Sequence, residues 1–433
     1  MRARFVRQVS FLHLLIMTLA FSGVVMAQDP WVLDTVVAAG SNCFGVAATP
    51  DGSKILVTNK DTSGTVTVLS ATDYSVLSTI PMYGDYPSGI AVVPSGVKAL
   101  VTCAKPNAVR LVDLLGDSIL AVFYPPCVAT TLYDIAVTPD GQTAVMPDLN
   151  DLCVQEGLRW FDTSGKTMGS TFVSVNTSGV TYGVAVAPDS VTVLVTTNVL
   201  TTGIKRVNIA TSAVQNISGV GPSYGVAITH KGDRAVVTSD SVKIISLPTN
   251  SVIGAIPFSS NSNFHNVAIT PDDKYAFVVG NFDVAVVSLD GDSVVQTFSA
   301  VGQNVAISPD GMKAYVTDSY NGELRVYRNK GTGTGISGPG TGANVPETLG
   351  LSQNYPNPFN PSTTISYGIP KPGFVELKVF DVAGRSIATL VSEHQDAGHY
   401  EIRFDGSKLP SGVYFLRIEA GGLSQTRKMI LMK

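Results

Sequence analysis

One pattern of hydrophobic and polar positions recurs along most of the chain: an apolar triplet ending in alanine, a polar turn and a second apolar run. In the first copy, GVAATPDGSKILVT (45–58), it predicts a strand over residues 45–49, a turn at Pro50-Asp51-Gly52 and a strand over residues 54–59. Proline presets the φ angle of such a turn, and glycine takes the left-handed position that closes it. The alternation that follows predicts strands over residues 65–70 and 75–81, so one unit forms a four-stranded antiparallel sheet.

The chain contains seven copies of this pattern, which start at residues 45, 89, 134, 183, 225, 266 and 304. A period in this range, with several short strands per unit, is typical of β-propeller blades. The predicted fold is therefore all-β, with a seven-bladed propeller over residues 28–330. An alanine in the first strand of each copy is expected to let neighbouring blades converge near the axis: Ala47, Ala91, Ala136, Ala185, Ala227, Ala268 and Ala306.

The last copy supplies only three strands, the third over residues 323–328. Residues 32–38, VLDTVVA, precede the first copy and read like the fourth strand of a blade. We therefore predict that this N-terminal strand pairs with residues 323–328. Such pairing closes the ring and covers a sheet edge that would otherwise be exposed.

Two segments flank the propeller. Residues 1–27 carry Arg2, Arg4 and Arg7 before an apolar run that ends in Val25-Met26-Ala27, which predicts an export signal peptide. No other run is long enough to cross a bilayer, so no transmembrane segment is expected after the signal is removed. Residues 331–350 are rich in glycine and threonine and predict a flexible linker.

The linker contains a formal match to the dinucleotide fingerprint at residues 333–338. No strand leads into this match, and Pro339 stands where a helix would begin, so no cofactor is predicted. Residues 351–433 alternate again between turn residues and predict a second domain, a small Ig-like β-sandwich.

Charge restricts the partners of the propeller. Charged residues make up 14% of the chain, and residues 28–330 contain 17 basic and 25 acidic side chains, a net charge of −8. A negatively charged surface repels phosphate backbones, so nucleic acid is not an expected partner.

The residue just before the first strand of each copy is a candidate ligand contact. The connections before these strands meet at one end of a propeller, around the central channel, so the residues are predicted to form a rim. Aromatic rims of this kind stack on flat ligands. The alternative is that the rings plug the channel mouth as packing residues. The rim residues are Phe44, Ser88, Tyr133, Tyr182, Tyr224, His265 and Gln303, and all except Ser88 are predicted to bind the ligand.

Enzyme chemistry has little support in the propeller. Its two histidines, His230 and His265, are predicted to lie at opposite ends of the strands, and it contains two glutamates. Acidic loop residues of the third blade, Asp134, Asp148 and Asp151, are weak candidates for Ca²⁺ ligands. No catalytic residue is predicted. A hydrolase of the lactonase or glycan-processing type, acting at the channel mouth, remains the alternative to a binding protein.

Four cysteines, Cys43, Cys103, Cys127 and Cys153, lie in the exported part of the chain, where disulfides are permitted. They allow three fully paired connectivities. We favour a Cys127–Cys153 disulfide because both residues belong to the loops of the third blade. All four cysteines are expected towards the end of the propeller that carries the rim.

Two resemblances add to this picture. The motifs Leu56-Val57-Thr58-Asn59 and Tyr315-Val316-Thr317-Asp318 resemble the signature of the YVTN family of β-propellers. LSQNYPNPFNPSTTISY (351–367), VFDVAGR (379–385), SGVYFLRI (411–418) and KMILMK (428–433) resemble the C-terminal sorting domain of type IX secretion. That resemblance implies handling by the type IX machinery and delivery, via the periplasm, to the cell surface or the medium.

Together these observations predict an exported propeller that acts as a non-catalytic binding or structural module. Its extracellular ligand is unknown, with glycans and proteins as the expected classes.

Overall fold

The computed structural model describes residues 30–432, except 106, 125–133, 149–156, 164–170, 176–179, 199, 201–202, 259–263, 331–348, 352–353, 355–356, 358 and 396–397. These residues form strands, turns and loops. Within them, no helix has the length and apolar character needed to cross a membrane.

Residues 31–329 form seven four-stranded antiparallel sheets, which we call blades one to seven. The first strand of the chain is β1 (Trp31–Ala38). Blades one to three contain β2 (Cys43–Ala48), β3 (Lys54–Asn59), β4 (Thr65–Ser70), β5 (Val76–Pro81); β6 (Pro87–Val92), β7 (Lys98–Ala104), β8 (Asn107–Asp113), β9 (Ser118–Phe123); β10 (Ala136–Val137), β11 (Thr143–Asp148), β12 (Gly157–Asp162) and β13 (Thr171–Ser174).

Blades four to seven follow the same order. They contain β14 (Thr181–Val186), β15 (Thr192–Thr197), β16 (Ile204–Asn208), β17 (Ala213–Ile217); β18 (Val226–Ile228), β19 (Arg234–Thr238), β20 (Val242–Ser246), β21 (Ser251–Ile256); β22 (Phe264–Ile269), β23 (Tyr275–Gly280), β24 (Asp283–Ser288), β25 (Ser293–Ser299); β26 (Asn304–Ile307), β27 (Lys313–Asp318) and β28 (Glu323–Asn329). Within each blade, we name the strands a to d from the axis outward.

The blades form a closed ring. Each strand a contacts strand a of the next blade, and β26 of blade seven contacts β2 of blade one. The all-β propeller architecture predicted from the repeat is therefore confirmed.

The N-terminal strand completes blade seven, as predicted. β1 pairs antiparallel with β28, from Trp31 opposite Asn329 to Ala38 opposite Glu323. Trp31 is fully buried, and its ring meets the Phe277 ring of blade six edge-on with centroids 4.5 Å apart. The Gln296 side chain also bonds the backbone N–H and C=O of Trp31, at 3.0 and 2.7 Å. The strand β1 is thus anchored to two blades.

The hydrophobic core of the propeller is divided into seven clusters, each shared by two consecutive blades. The alanine of each strand a packs against one of these clusters, in agreement with its predicted role. For example, Ala185 of blade four lies against the cluster that contains Val226 and Ile245 of blade five. A larger side chain here would separate the blades, since packed interiors have little free volume.

The C-terminal region forms two further sheets around one core. Its strands are β29 (Gly350–Leu351), β30 (Ser362–Ile369), β31 (Gly373–Phe380), β32 (Ser386–Gln395), β33 (Gly398–Asp405), β34 (Gly412–Ala420) and β35 (Leu423–Leu431). One sheet has the order β29-β30-β33 and the other β32-β31-β34-β35. This arrangement is a small β-sandwich, as the alternating pattern predicted.

Candidate functional site

The two ends of the propeller are built from different connections. One end, which we call the loop face, carries the loops between strands b and c and the connections that lead into strand a. The other end, which we call the turn face, carries the tight turns between strands a and b, such as Thr49–Lys54, where the Thr49 and Lys54 backbones bond at 2.9 Å. The described residues of the predicted rim lie on the loop face.

Two of the predicted rim residues form an aromatic pair. Tyr182 of blade four and Tyr224, which precedes strand a of blade five, have ring centroids 5.2 Å apart with their planes at 55°. Tyr224 is 37% exposed and Tyr182 is half-buried. Tilted aromatic pairs at this separation are favourable and leave part of each ring for a further partner.

Glycines bring neighbouring rim residues together. A Cβ atom at Gly183 would lie 2.4 Å from the carbonyl oxygen of Tyr224, and one at Gly225 would lie 2.7 Å from the carbonyl oxygen of His265. Neither distance is possible for a real side chain, so only glycine permits this approach of the two backbones. The chain therefore places Tyr182, Tyr224 and His265 in consecutive positions around the ring.

A repeated threonine fixes the backbone of the rim, a feature that the sequence analysis did not identify. Thr58, at the end of strand b, accepts a hydrogen bond from the N–H of Gly45 at 2.7 Å and donates one to the carbonyl of Ser88 in the next blade, also at 2.7 Å. Thr317 bonds the Phe44 carbonyl of blade one at 2.6 Å, which repeats the link across the ring closure. The repeated Val-Thr dipeptide is the sequence signal from which these threonine hydrogen bonds could have been predicted.

Each of the remaining described rim residues has different surroundings. The His265 ring Nε2 lies 2.6 Å from the side-chain oxygen of Asn281. The Lys60 ammonium stands over the Phe44 ring at 4.1 Å, and burial lowers the pKa of Lys60. Gln303 is half-buried, whereas Ser88 is fully buried. Tyr133 lies outside the described residues.

Basic residues recur on strand c, and two of them pair with carboxylates at the loop face. They occupy one register position in five blades: Arg110, Arg159, Lys205, Lys243 and Arg325. Arg110 forms a buried ion pair with Asp85 in the connection before β6. Arg325 pairs with the buried Asp318 at 3.0 Å. Burial disfavours the charged form of Asp318, yet hydrogen bonds from Asn321 and Arg325 hold its pKa below the usual range.

Asp134 links blades three and four. Its carboxylate accepts the N–H of Ile135 at 2.9 Å and the N–H of Val184 in the next blade at 3.0 Å. Burial raises its pKa to about 6, although both hydrogen bonds favour the charged form. Of the other two calcium candidates, Asp148 ends β11 and Asp151 lies outside the described residues. Among the residues that the structure describes, no three His, Cys, Asp or Glu side chains cluster as a metal site would require.

Two cysteines are buried free thiols. Cys43 begins β2, and Cys103 lies near the end of β7, at the same end of the strands. Burial raises the pKa of each thiol to about 12, which makes both poor nucleophiles. The predicted pair, Cys127 and Cys153, lies outside the described residues.

Comparison with known families identifies the C-terminal domain. Residues 353–432 match the secretion system C-terminal sorting domain. The protein is therefore exported to the cell surface or secreted, and its C-terminal domain is a substrate for the type IX secretion machinery. No curated protein sequence matches the chain.

Solved structures resemble the propeller. Hydrazine synthase of Kuenenia stuttgartiensis is 19% identical, with a TM-score of 0.59, and the match covers 69% of this chain and 99% of that chain. The Cps50 (Swd1) β-propeller domain of Myceliophteria thermophila is 12% identical, with the same TM-score and the same coverage. At these identities, the likeness shows the propeller fold alone.

Proposed function

We propose that this exported propeller is a non-catalytic recognition module whose loop face binds an extracellular ligand through Tyr182 and Tyr224. The proposal includes a signal peptide over residues 1–27, a propeller of the YVTN type with seven blades over 28–330, a linker over 331–350 and the sorting domain over 351–433. The seven four-stranded sheets and the repeated Val-Thr motif support the YVTN assignment.

The tyrosine pair is the observation that carries this proposal. Exposed aromatic side chains cost solubility, yet Tyr224 is 37% exposed beside Tyr182 on a rigid part of the scaffold. Glycines and threonines fix the backbone on both sides of the pair. A preorganised aromatic surface lowers the entropic cost of binding, because the rings need not be ordered by the ligand.

The surface suits a ligand with a flat, partly apolar face. Sugar rings and protein side chains both present such faces, and tyrosine hydroxyls orient them by hydrogen bonding. His265 in the next blade extends the surface with a ring that can donate or accept a hydrogen bond. Glycans and protein surfaces are therefore the ligand classes that we propose.

A carbohydrate microarray and a panel of surface proteins probed with the exported protein test the proposal. We expect binding that is lost in the Tyr182→Ala, Tyr224→Ala double variant. Tyr320→Ala is the matched control, because Tyr320 is a 79% exposed tyrosine of blade seven outside the pair. Binding that survives the double variant, or is lost equally in the control, would contradict the proposed site.

A further inference from the structure

The turn face carries a second repeated contact around the ring. In most blades, the turn proline lies against the turn glycine of the next blade. A Cβ atom at Gly96 would lie 3.6 Å from Pro50, and one at Gly232 would lie 3.1 Å from Pro188. The same contact joins Pro94 with Gly141, Pro271 with Gly311 and, across the ring closure, Pro309 with Gly52.

Blades five and six depart from this pattern at one shared contact. Blade five has His230 where the other six copies have proline. Blade six has Asp273 where five copies have glycine, and Asp273 keeps the left-handed conformation with φ of 59°. Aspartate tolerates this conformation better than most residues, although at some cost relative to glycine. The two departures occupy facing positions, so they replace one proline–glycine contact together.

His230 and Asp273 form a pair. The Asp273 carboxylate accepts the backbone N–H of His230 at 2.7 Å and that of Lys231 at 3.1 Å, and it lies 3.0 Å from the ring Nδ1 of His230. The Asp273 side chain is 4% exposed, whereas that of His230 is 54% exposed. In the tautomer whose Nδ1–H is donated to the carboxylate, Nε2 is the remaining hydrogen-bond acceptor of the imidazole.

His230 also borders a pocket of about 320 Å³. Residues of blades one, five, six and seven line it, and most are apolar: Pro50, Pro271, Pro309, Ile307 and two alanines are among them. The Ser308 hydroxyl also lines the pocket, but it donates to Asp310 and accepts the N–H of Lys313 at 2.8 Å. His230 Nε2 is therefore the side-chain acceptor that the described lining offers to a ligand.

We infer that this pocket is a second binding site, for a small aromatic ligand that carries one hydrogen-bond donor, such as a phenolic ring. Proline rings and aliphatic side chains pack against the faces of an aromatic ring, and the phenolic O–H donates to His230 Nε2. A sugar fits this pocket poorly, because several of its hydroxyls would lose water without gaining a partner. The site lies on the turn face and is independent of the tyrosine pair on the loop face.

Titration of the full exported protein with phenol and with toluene tests the inference. Toluene has the same ring but no donor. We expect phenol to shift the His230 ring resonances of histidine-labelled protein saturably, and toluene to bind at least fivefold more weakly. Equal binding of phenol and toluene, or no saturable shift with phenol, would overturn the inference.

The residues at the same positions in the other copies suggest a variant that tests the role of His230. His230→Pro combined with Asp273→Gly restores the proline–glycine contact of the other blades, so the turn should fold. We expect saturation-transfer NMR to show that phenol binding is lost in this double variant. His230→Leu, which leaves the backbone bonds of Asp273 in place, should weaken phenol binding at least fivefold. Retained phenol binding in either folded variant would show that His230 does not form the site.

Discussion

The loop face and the turn face of this propeller are made by the same repeat but differ in how strictly they follow it. On the turn face, proline and glycine meet between most neighbouring blades. On the loop face, the rim position holds five residue types in the seven blades, from Phe44 to Gln303. Only the backbone is repeated there, through threonine bonds such as Thr58 to Ser88.

The difference indicates which positions maintain the ring and which positions are available to bind a ligand. A position that repeats around the ring serves the ring, while a position that varies on a fixed backbone is available for a ligand. By the same reasoning, His230 and Asp273 stand out because both partners of one contact depart from the repeat.

Weakening the ring closure should have the largest effect on stability, because both faces depend on the closed ring. Trp31→Ala should lower the free energy of unfolding by about 3–5 kcal/mol, since Trp31 is fully buried and the variant leaves a cavity. Chemical denaturation followed by far-UV circular dichroism measures this change. Leu33→Ala on the same strand, where Leu33 is 45% exposed, should cost less than about 1 kcal/mol. Equal effects of the two variants would show that β1 does not close the ring.

The contact that Asp134 makes between blades three and four should make the stability of the protein depend on pH. The pKa of Asp134 is raised to about 6 in the folded state, so the folded protein holds more protons than the unfolded chain between about pH 4 and 6. The free energy of unfolding should therefore fall as the pH rises through this window.

Asp134→Asn should remove that fall, because an amide keeps an acceptor without the buried charge. Asn266 and Asn304 already occupy the same position in blades six and seven and accept the next backbone N–H. We expect the variant to gain on the order of 1–3 kcal/mol at pH 7 and nothing at pH 4, measured by denaturation at both pH values. An equal gain at both would rule out the carboxylate charge as the cause.

Loss of the threonine hydrogen bonds should have a smaller effect on stability. It tests whether these bonds hold the backbone of the loop face. Thr58→Val keeps the shape of the side chain but leaves the Gly45 N–H and the Ser88 carbonyl without their partner, which should cost about 1–2 kcal/mol. Thr79→Val, on an exposed position of β5, should be neutral within about 0.5 kcal/mol. If both variants behave alike, the link does not hold the loop face.

Much of the fold could be predicted from local patterns. The predicted bounds 54–59 and 65–70 coincide with β3 and β4, because turn residues mark both ends of these strands. The strand β2 begins at Cys43, two residues earlier than predicted, and its register shifts between Cys43 and Val46.

Contacts between blades could not be predicted in the same way. His230 and Asp273 are 43 residues apart, and only the ring geometry brings them together. The hydrogen bond from Thr317 to Phe44 spans 273 residues. The sequence shows that these residues repeat or depart from the repeat, but it does not show which partner faces them. The sequence placed the rim positions on one face only as a prediction, whereas the burial of Ser88 and the contact between Tyr182 and Tyr224 required the structure.

The most direct test of the central claim is a titration of the strongest microarray or panel ligand against two double variants of the tyrosine pair. In Tyr182→Phe, Tyr224→Phe the rings remain, and we expect affinity within about threefold of the parent protein. In Tyr182→Ala, Tyr224→Ala the rings are removed, and we expect at least a tenfold loss, about 1.4 kcal/mol, with an unchanged melting temperature. Unchanged affinity in the alanine variant, or its unfolding, would show that Tyr182 and Tyr224 are packing residues and not a binding surface.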